Sequence, residues 1–171
     1  MRRWVAPLLL GLVLAGVAYQ VALTYAPRAL MAAAVRRVGA GGFNRMTFGP
    51  LATDKARAIV RPSPDLAYAS CPFDLSAGPL LVEVPPGRSP YWSLSVFDAR
   101  TDVAFVANNR DGNGGPIRLV VARRDQRVPG NDRIVRVDGA RGIALVRVLV
   151  EDRTRFAPLD AERRRASCRT L

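Results

Sequence analysis

The chain has 171 residues, of which 26 are basic, 14 are acidic and none is histidine, giving a formal net charge of +12. The absence of histidine excludes Ser-His-Asp and Cys-His catalysis, as well as zinc or haem sites that use histidine ligands. Two cysteines cannot form a four-thiolate metal site, so we expect neither a metal nor a cofactor.

The N-terminal segment predicts a membrane-spanning helix. A short basic start precedes it, and no charged residue occurs between Trp4 and Pro27. A bilayer requires about 20 predominantly apolar residues in a helix. We therefore assign residues 4–25 as an uncleaved single span that binds the lipid bilayer. A signal peptide cleaved near Ala18 is the alternative, because small residues flank that position.

The orientation of this span rests on weaker signals. Positive residues nearly balance across it, with two arginines before it and three soon after it. In a chain of bacterial character, the start of a first N-terminal span usually stays in the cytoplasm. We therefore expect residues 1–3 in the cytoplasm and a single-pass protein of the bacterial inner membrane, with the C-terminal domain in the periplasm.

Residues 26–42 predict a helical stalk that ends in a glycine-rich linker. The segment from Pro27 to Val38 is rich in alanine, and its apolar residues recur at the spacing of one helix face. Gly39–Gly42 then ends the helix. Two interpretations stay open, because the spanning helix could continue as a stalk or a second helix could lie on the lipid head groups.

Beyond Phe43 the apolar residues alternate with a period of two, which is typical of strands. We predict an antiparallel β-sandwich of about seven or eight strands over residues 43–157, followed at 158–171 by a short helix and a mostly irregular basic tail. The predicted strands are Ala56–Val60, Leu66–Ser70, Leu80–Val84, Tyr91–Phe97, Val103–Ala107, Ile117–Val121, Arg133–Val137 and Gly142–Val150.

Cys71 and Cys168 are the only thiols of the chain. In an oxidising compartment they could form a disulfide that ties the terminal segment to the strand region. The alternative is two unpaired cysteines, because sequence spacing does not show whether the two Cα atoms come close enough to pair.

An ordered series of short motifs carries a family resemblance. The series comprises Arg61–Ser70, Phe73–Pro79, Val84–Pro85, Tyr91–Leu94 and Phe97–Asp98. It resembles the bacterial family called domain of unknown function 1254, in a short, membrane-anchored form. Larger members carry a second β-rich module of the family numbered 1214. The resemblance therefore implies a separate membrane-anchored partner similar to that module, and it implies no settled activity.

A candidate polar site lies near the start of the first long strand. Two prolines, Pro62 and Pro64, force an extended arm, which would present nearby polar side chains together. The alternative is a structural Arg–Asp pair with a tyrosine hydroxyl that caps the backbone. The residues of this candidate site, with two from neighbouring strand ends, are Arg61, Asp65, Tyr68, Asp98 and Asn108.

We interpret the chain as a non-enzymatic, membrane-anchored binding or assembly module, with no assigned catalytic residue. One alternative is a hydrolase of small or envelope-derived substrates that uses Asp65, Asp74 and Asp98 for acid–base chemistry. Another is binding of anionic lipids or polymers through the arginines. Nucleic acid is not an expected partner, because the arginines are scattered without interleaved aromatic residues and the one dense run, Arg163–Arg165, is short.

Overall fold

The computed structural model describes residues 2–53, 62–111 and 114–171. These residues form one long helix and nine strands in two sheets, so the chain is mainly β after an N-terminal helix. The elements are α1 (Arg2–Val38), β1 (Thr47–Phe48), β2 (Leu66–Asp74), β3 (Leu80–Val84), β4 (Trp92–Phe97), β5 (Val103–Asn108), β6 (Ile117–Arg123), β7 (Arg133–Val137), β8 (Arg141–Leu149), α2 (Phe156–Arg163) and β9 (Ser167–Thr170). Short 3₁₀ turns at Gly39–Gly41 and Arg153–Arg155 adjoin the two helices.

Helix α1 is long and apolar enough to cross a membrane. Its N-terminal apolar side chains are exposed, whereas Met31 and Val35 near its C-terminal end are only 7% and 2% exposed. These two residues face the strands β2 and β8, with which the helix is in contact. Pro27 lies inside one continuous helix, so it does not open a separate helix there. The alanine-rich flanks and the packing against the strands support the helix on both sides of this proline.

The five strands of sheet A lie in the order β1-β2-β8-β4-β5, and the four strands of sheet B lie in the order β7-β6-β3-β9. Neighbouring strands are antiparallel except for the parallel pair β6 and β7. Strands β2 to β8 occur where the twofold alternation predicts them. The predicted strand Ala56–Val60 lies outside the described residues.

Two strands were not predicted. β1 has only two residues, and β9 lies in the tail that the sequence predicts to be mostly irregular. The tail forms a strand because Ser167–Thr170 pairs along β3, from Cys168 opposite Val82 to Thr170 opposite Leu80. This pairing satisfies backbone groups that a short polar segment cannot satisfy on its own.

Both sheets contribute to one apolar core. In sheet A, β8 alternates strictly, so that Val146 is buried while its neighbours on the strand are partly exposed, whereas β2 alternates up to Cys71 and then buries both Pro72 and Phe73. Val82 and Val121 of sheet B belong to the same buried cluster. The alternation of apolar residues in each strand therefore selects the face that packs into this shared core.

A disulfide joins the two sheets. Cys71 of β2 is bonded to Cys168 of β9, with a Cα–Cα distance of 6.5 Å and a sequence separation of 97 residues. A loop of this length, closed by a disulfide, stabilises the folded state by about 4.7 kcal/mol in the chain-entropy model. The basic tail is thereby held to the core of the domain.

The side chain of Arg163 connects helix α2 to sheet A. It is fully buried, and it donates hydrogen bonds to the carbonyl oxygens of Tyr68 and, at 2.9 Å, Gly49. It also pairs with Asp160, whose side chain is 16% exposed. Burial raises the pKa of Asp160, but hydrogen bonds from Arg164 and Arg163 outweigh this effect and hold the pKa below its usual value.

Candidate functional site

The structure does not gather the predicted polar residues into one cluster. Asp65 lies just before β2, where its carbonyl oxygen accepts a 2.8 Å hydrogen bond from the Val150 amide. Asn108 lies at the same end of sheet A, because it pairs with Ser93 near the start of β4. Asp98 follows the last residue of β4, at the opposite end of that six-residue strand and about 17 Å from Ser93. Arg61 lies outside the described residues.

Asp98 and Asn108 both organise turns. The side chain of Asp98 is buried, and its Oδ1 accepts hydrogen bonds from the amides of Arg100 at 2.7 Å and Asp102 at 3.1 Å. The Oδ1 of Asn108 accepts a 2.9 Å bond from the amide of Arg110. Short polar side chains commonly satisfy turn amides in this way. These two residues are therefore explained by local structure.

The three aspartates of the hydrolase alternative are not arranged for acid–base catalysis. Asp65 lies at one end of sheet A, whereas Asp74 and Asp98 end strands at the other end. Hydrogen bonds from Ser76 and a 2.8 Å ion pair with Arg141 hold the pKa of Asp74 below its usual value. A carboxylate of lowered pKa stays ionised and is a poor general acid near neutral pH.

A polar row crosses the outer face of sheet A. Tyr68 of β2 lies opposite Arg147 of β8, which lies opposite Ser93 of β4, which in turn lies opposite Asn108 of β5. The row thus contains two predicted residues, Tyr68 and Asn108, and two that the sequence interpretation missed. The missed signal is in β8, where the outward positions run from Arg141 at one end of the strand through apolar residues to a second arginine, Arg147.

A cleft of about 440 Å³ lies between this face and the C-terminal part of α1. One wall is helical, and the rest comes from the outer face of sheet A and from Pro62 of the extended arm. The residues that line the cleft are Met31, Ala34 and Val38 of α1; Pro62 of the arm; Tyr68 and Ser70 of β2; Phe97 of β4; and Ile143, Leu145 and Arg147 of β8.

The cleft has an apolar end and a polar end. Ile143 lies opposite Phe97, and Arg147 lies opposite Tyr68 four residues further along β8, or about 13 Å away. Gly39, just after the helix, comes within contact range of Pro72, which pairs with Ile143. Helix α1 therefore borders the apolar end of the cleft, and the guanidinium of Arg147 lies at the polar end.

Arg147 is incompletely hydrogen-bonded. Its Nη2 donates a 2.8 Å bond to the Ser95 hydroxyl, but its Nε is buried without a hydrogen-bond partner among the described residues. The hydroxyl of Ser93, which lies directly opposite on β4, is also buried and unpartnered within this described part. Burying a polar group without a partner costs about 1–3 kcal/mol, so two adjacent examples mark this row as unusual.

Tyr68 connects the cleft to the extended arm. Its hydroxyl accepts a 2.9 Å hydrogen bond from the amide of Ser63, next to Pro62. The hydroxyl of Tyr68 thus caps a backbone amide, as in the structural alternative that the sequence analysis gives for this residue. It holds the proline at the rim of the cleft, while the tyrosine ring forms part of the wall.

Two solved structures of bacterial proteins share this fold. The VPA0106 protein from Vibrio parahaemolyticus matches with a TM-score of 0.70 and 16% identity, over 88% of this chain and 37% of its own. An uncharacterised protein from Burkholderia cenocepacia matches with a TM-score of 0.52 and 17% identity, over 86% of this chain and 41% of its own. This chain therefore spans less than half the length of either protein.

No curated protein matches the chain. Residues 43–170, which cover the whole β domain, match the family described as "Protein of unknown function (DUF1254)". The match begins just after α1 and extends through β9. Because it covers more than half of the sequence, the chain belongs to the DUF1254 family.

Proposed function

We propose that this protein is a short, membrane-anchored member of its family. In this proposal it is a single-pass protein of the bacterial inner membrane, and its periplasmic β domain serves as a binding or assembly module. The observation that carries the proposal is the continuity of α1, which runs from the apolar segment into a buried contact with sheet A. The uncleaved helix would hold the domain at a fixed position beside the bilayer.

Two further observations support this arrangement. Thr24 and Arg28 of α1 line a cleft together with Arg100 and Asp102, so the loop after β4 lies beside the end of the apolar segment. The bonded cysteine pair suits the oxidising periplasm, because disulfides seldom persist in the cytoplasm. We also infer that the two sheets pack face to face as a sandwich, since they share one core.

An alkaline phosphatase fusion after Leu171 tests the orientation. That enzyme is active only where its own disulfides form, so we expect activity in intact cells. A matched cytoplasmic reporter at the same position should be silent. An active cytoplasmic reporter with a silent phosphatase would contradict the periplasmic assignment.

We further propose that the module works with a separate membrane-anchored partner that resembles the family numbered 1214. The two structural neighbours are more than twice as long as this chain, so each contains a large part without a counterpart here. An exposed apolar edge supports a docking surface, because Val103 and Val106 of the edge strand β5 are 57% and 58% exposed. Unpaired edges and exposed apolar residues are common features of protein interfaces.

Site-specific crosslinking in intact cells tests this partnership. A photoreactive residue at Val106 should give one major adduct with a membrane-anchored protein that contains a β-rich module. The control places the same residue at Arg169, which is exposed on sheet B. Equal adducts at both positions, or none at Val106, would contradict the proposal.

The other two functions receive less support. The aspartates of the hydrolase alternative lie at opposite ends of sheet A, as described above. Anionic polymer binding requires free arginines, yet many are paired with acidic groups, including Arg118 with Glu83 and Asp132, and Arg124 with Asp138. The lipid bilayer enters the proposal as the partner of α1.

A further inference from the structure

We propose that the cleft between α1 and sheet A binds a single-chain amphiphile with a carboxylate head. Arg147 would pair with the carboxylate, and the apolar chain would lie along Leu145 and Ile143 towards Met31. This inference goes beyond the proposed partner docking and concerns a different surface. The ligand proposal and the partner proposal are independent, because an experiment that refutes binding in the cleft does not test docking at β5, and an experiment at β5 does not test the cleft.

The chemistry of the lining favours an amphiphile over a purely apolar or purely polar ligand. Phe97, Ile143 and Met31 give one end of the cleft an apolar surface. Tyr68 and Arg147 give the other end a hydroxyl and a cation. A ligand that fills the cleft must therefore bury an apolar part and satisfy a charged group at a separation of about 13 Å or less.

Arg147 has unused hydrogen-bonding capacity for this ligand. A guanidinium carries five N–H donors, and the described residues accept only one bond from Arg147, at Ser95. The Nε of Arg147 is buried without a partner among the described residues, which carries a free-energy cost. An anion at this end would accept hydrogen bonds from the remaining Nη N–H groups of Arg147, and charge-assisted hydrogen bonds are stronger than neutral ones.

The charge balance favours a carboxylate over a phosphate. Arg147 is the one charged side chain among the residues that line the cleft. A single guanidinium matches the single negative charge and planar shape of a carboxylate. A phosphate monoester carries close to two negative charges, which this cleft would leave partly uncompensated.

The size and position of the cleft agree with this ligand. A volume of about 440 Å³ lies in the ordinary range for small-molecule sites. Helix α1 forms both the apolar wall and the segment assigned to the bilayer. An amphiphile that partitions into the membrane surface would therefore reach the cleft along an apolar path.

Octanoate is a suitable probe because it is soluble and has one short chain. We would measure its binding to the full-length protein in phosphatidylcholine nanodiscs by the NMR shift of its ¹³C-labelled carboxyl, with empty nanodiscs as the blank. We expect saturable binding by the wild type and at least tenfold weaker binding by Arg147→Gln. The matched control, Arg169→Gln, removes the same charge from exposed β9 and should bind like the wild type.

A second pair of variants keeps Arg147 intact. Ala34→Trp would fill the cleft from the helix side and should abolish binding, whereas Ala33→Trp places the same ring on an exposed position of α1 and should not. Octanol and octyl phosphate should compete more weakly than octanoate. Equal octanoate binding by the wild type, Arg147→Gln and Ala34→Trp would overturn the proposal, and tighter binding of octyl phosphate would overturn the choice of a carboxylate.

Discussion

Two regions that adjoin sheet A each contain an arginine with buried guanidinium atoms, but the hydrogen bonding of the two arginines differs. Around α2, Arg163 is fully buried, and the Tyr68 carbonyl, the Gly49 carbonyl and Asp160 accept its hydrogen bonds. In the cleft beside α1, Arg147 donates to Ser95 while its Nε is unpartnered within the described structure.

This difference separates stabilisation from binding. A buried charge with every partner in place joins segments distant in sequence, and its removal leaves several groups unsatisfied. A partly buried charge with an unpartnered buried atom costs stability, and such groups concentrate at sites that bind ligands or perform chemistry. We therefore assign Arg163 to the stability of the domain and Arg147 to its proposed ligand.

The largest expected effect is on stability, at Arg163. Arg163→Gln should lower the free energy of unfolding by about 2–3 kcal/mol, because it removes the charge-assisted hydrogen bonds to the Tyr68 and Gly49 carbonyls and leaves Asp160 with Arg164 alone. The measurement is urea unfolding of the full chain in detergent, followed by near-ultraviolet circular dichroism. Arg164→Gln is the control, because Arg164 pairs with the same Asp160 but is 55% exposed, and it should cost less than about 1 kcal/mol. Similar losses for both variants would refute the structural role of Arg163.

A smaller effect is expected from acid. The pKa of Asp160 is below its ordinary value of 3.8 in the folded chain, so its contribution to stability is complete above that value. The contribution is lost as the pH falls through the lower folded pKa. Asp160→Asn should therefore weaken the domain near neutral pH and reduce the further loss of stability in acid.

The urea midpoint measured between pH 6 and pH 3 checks this expectation. Asp125→Asn provides the control. The carboxylate of Asp125 is 73% exposed and pairs with Arg123 at the surface, where an ion pair contributes little to stability. A profile for Asp160→Asn that parallels the wild type throughout would contradict the role given to Asp160.

The smallest expected effect on stability is at Arg147. Arg147→Leu should change the free energy of unfolding by less than about 1 kcal/mol, in either direction, because it removes an incompletely bonded charge and adds apolar contact. The same urea experiment measures it. A loss as large as that of Arg163→Gln would show that Arg147 also stabilises the fold, and the contrast between the two regions would disappear.

The sequence predicted the parts of the fold that depend on long, regular patterns. The alternation in β8 and in the first part of β2, and the uncharged stretch of α1, each determine one element without reference to the rest of the chain. Strand β9 was missed because Ser167–Thr170 has no apolar alternation and becomes a strand only by pairing with β3.

The candidate site was predicted only in part, for a related reason. Tyr68 and Asn108 were recognised, but their row also needs Arg147 and Ser93, which come from strands distant in sequence. Register between strands decides which residues meet, and a pattern within one strand does not contain it. In the same way, the sequence shows Arg163 only as part of a short basic run, and the packing of α2 decides that its side chain is buried.

The most direct test of the contrast between the two arginines is ligand-dependent stability. The urea midpoint of the full chain in phosphatidylcholine nanodiscs would be measured with and without saturating octanoate, for the wild type, Arg163→Gln and Arg147→Gln. A ligand that binds only the folded state raises stability by an amount set by its affinity. We predict that octanoate raises the midpoint of the wild type and, from a lower start, of Arg163→Gln by a similar increment, and leaves Arg147→Gln unchanged. An equal rise in Arg147→Gln, or no rise in the wild type, would contradict the account.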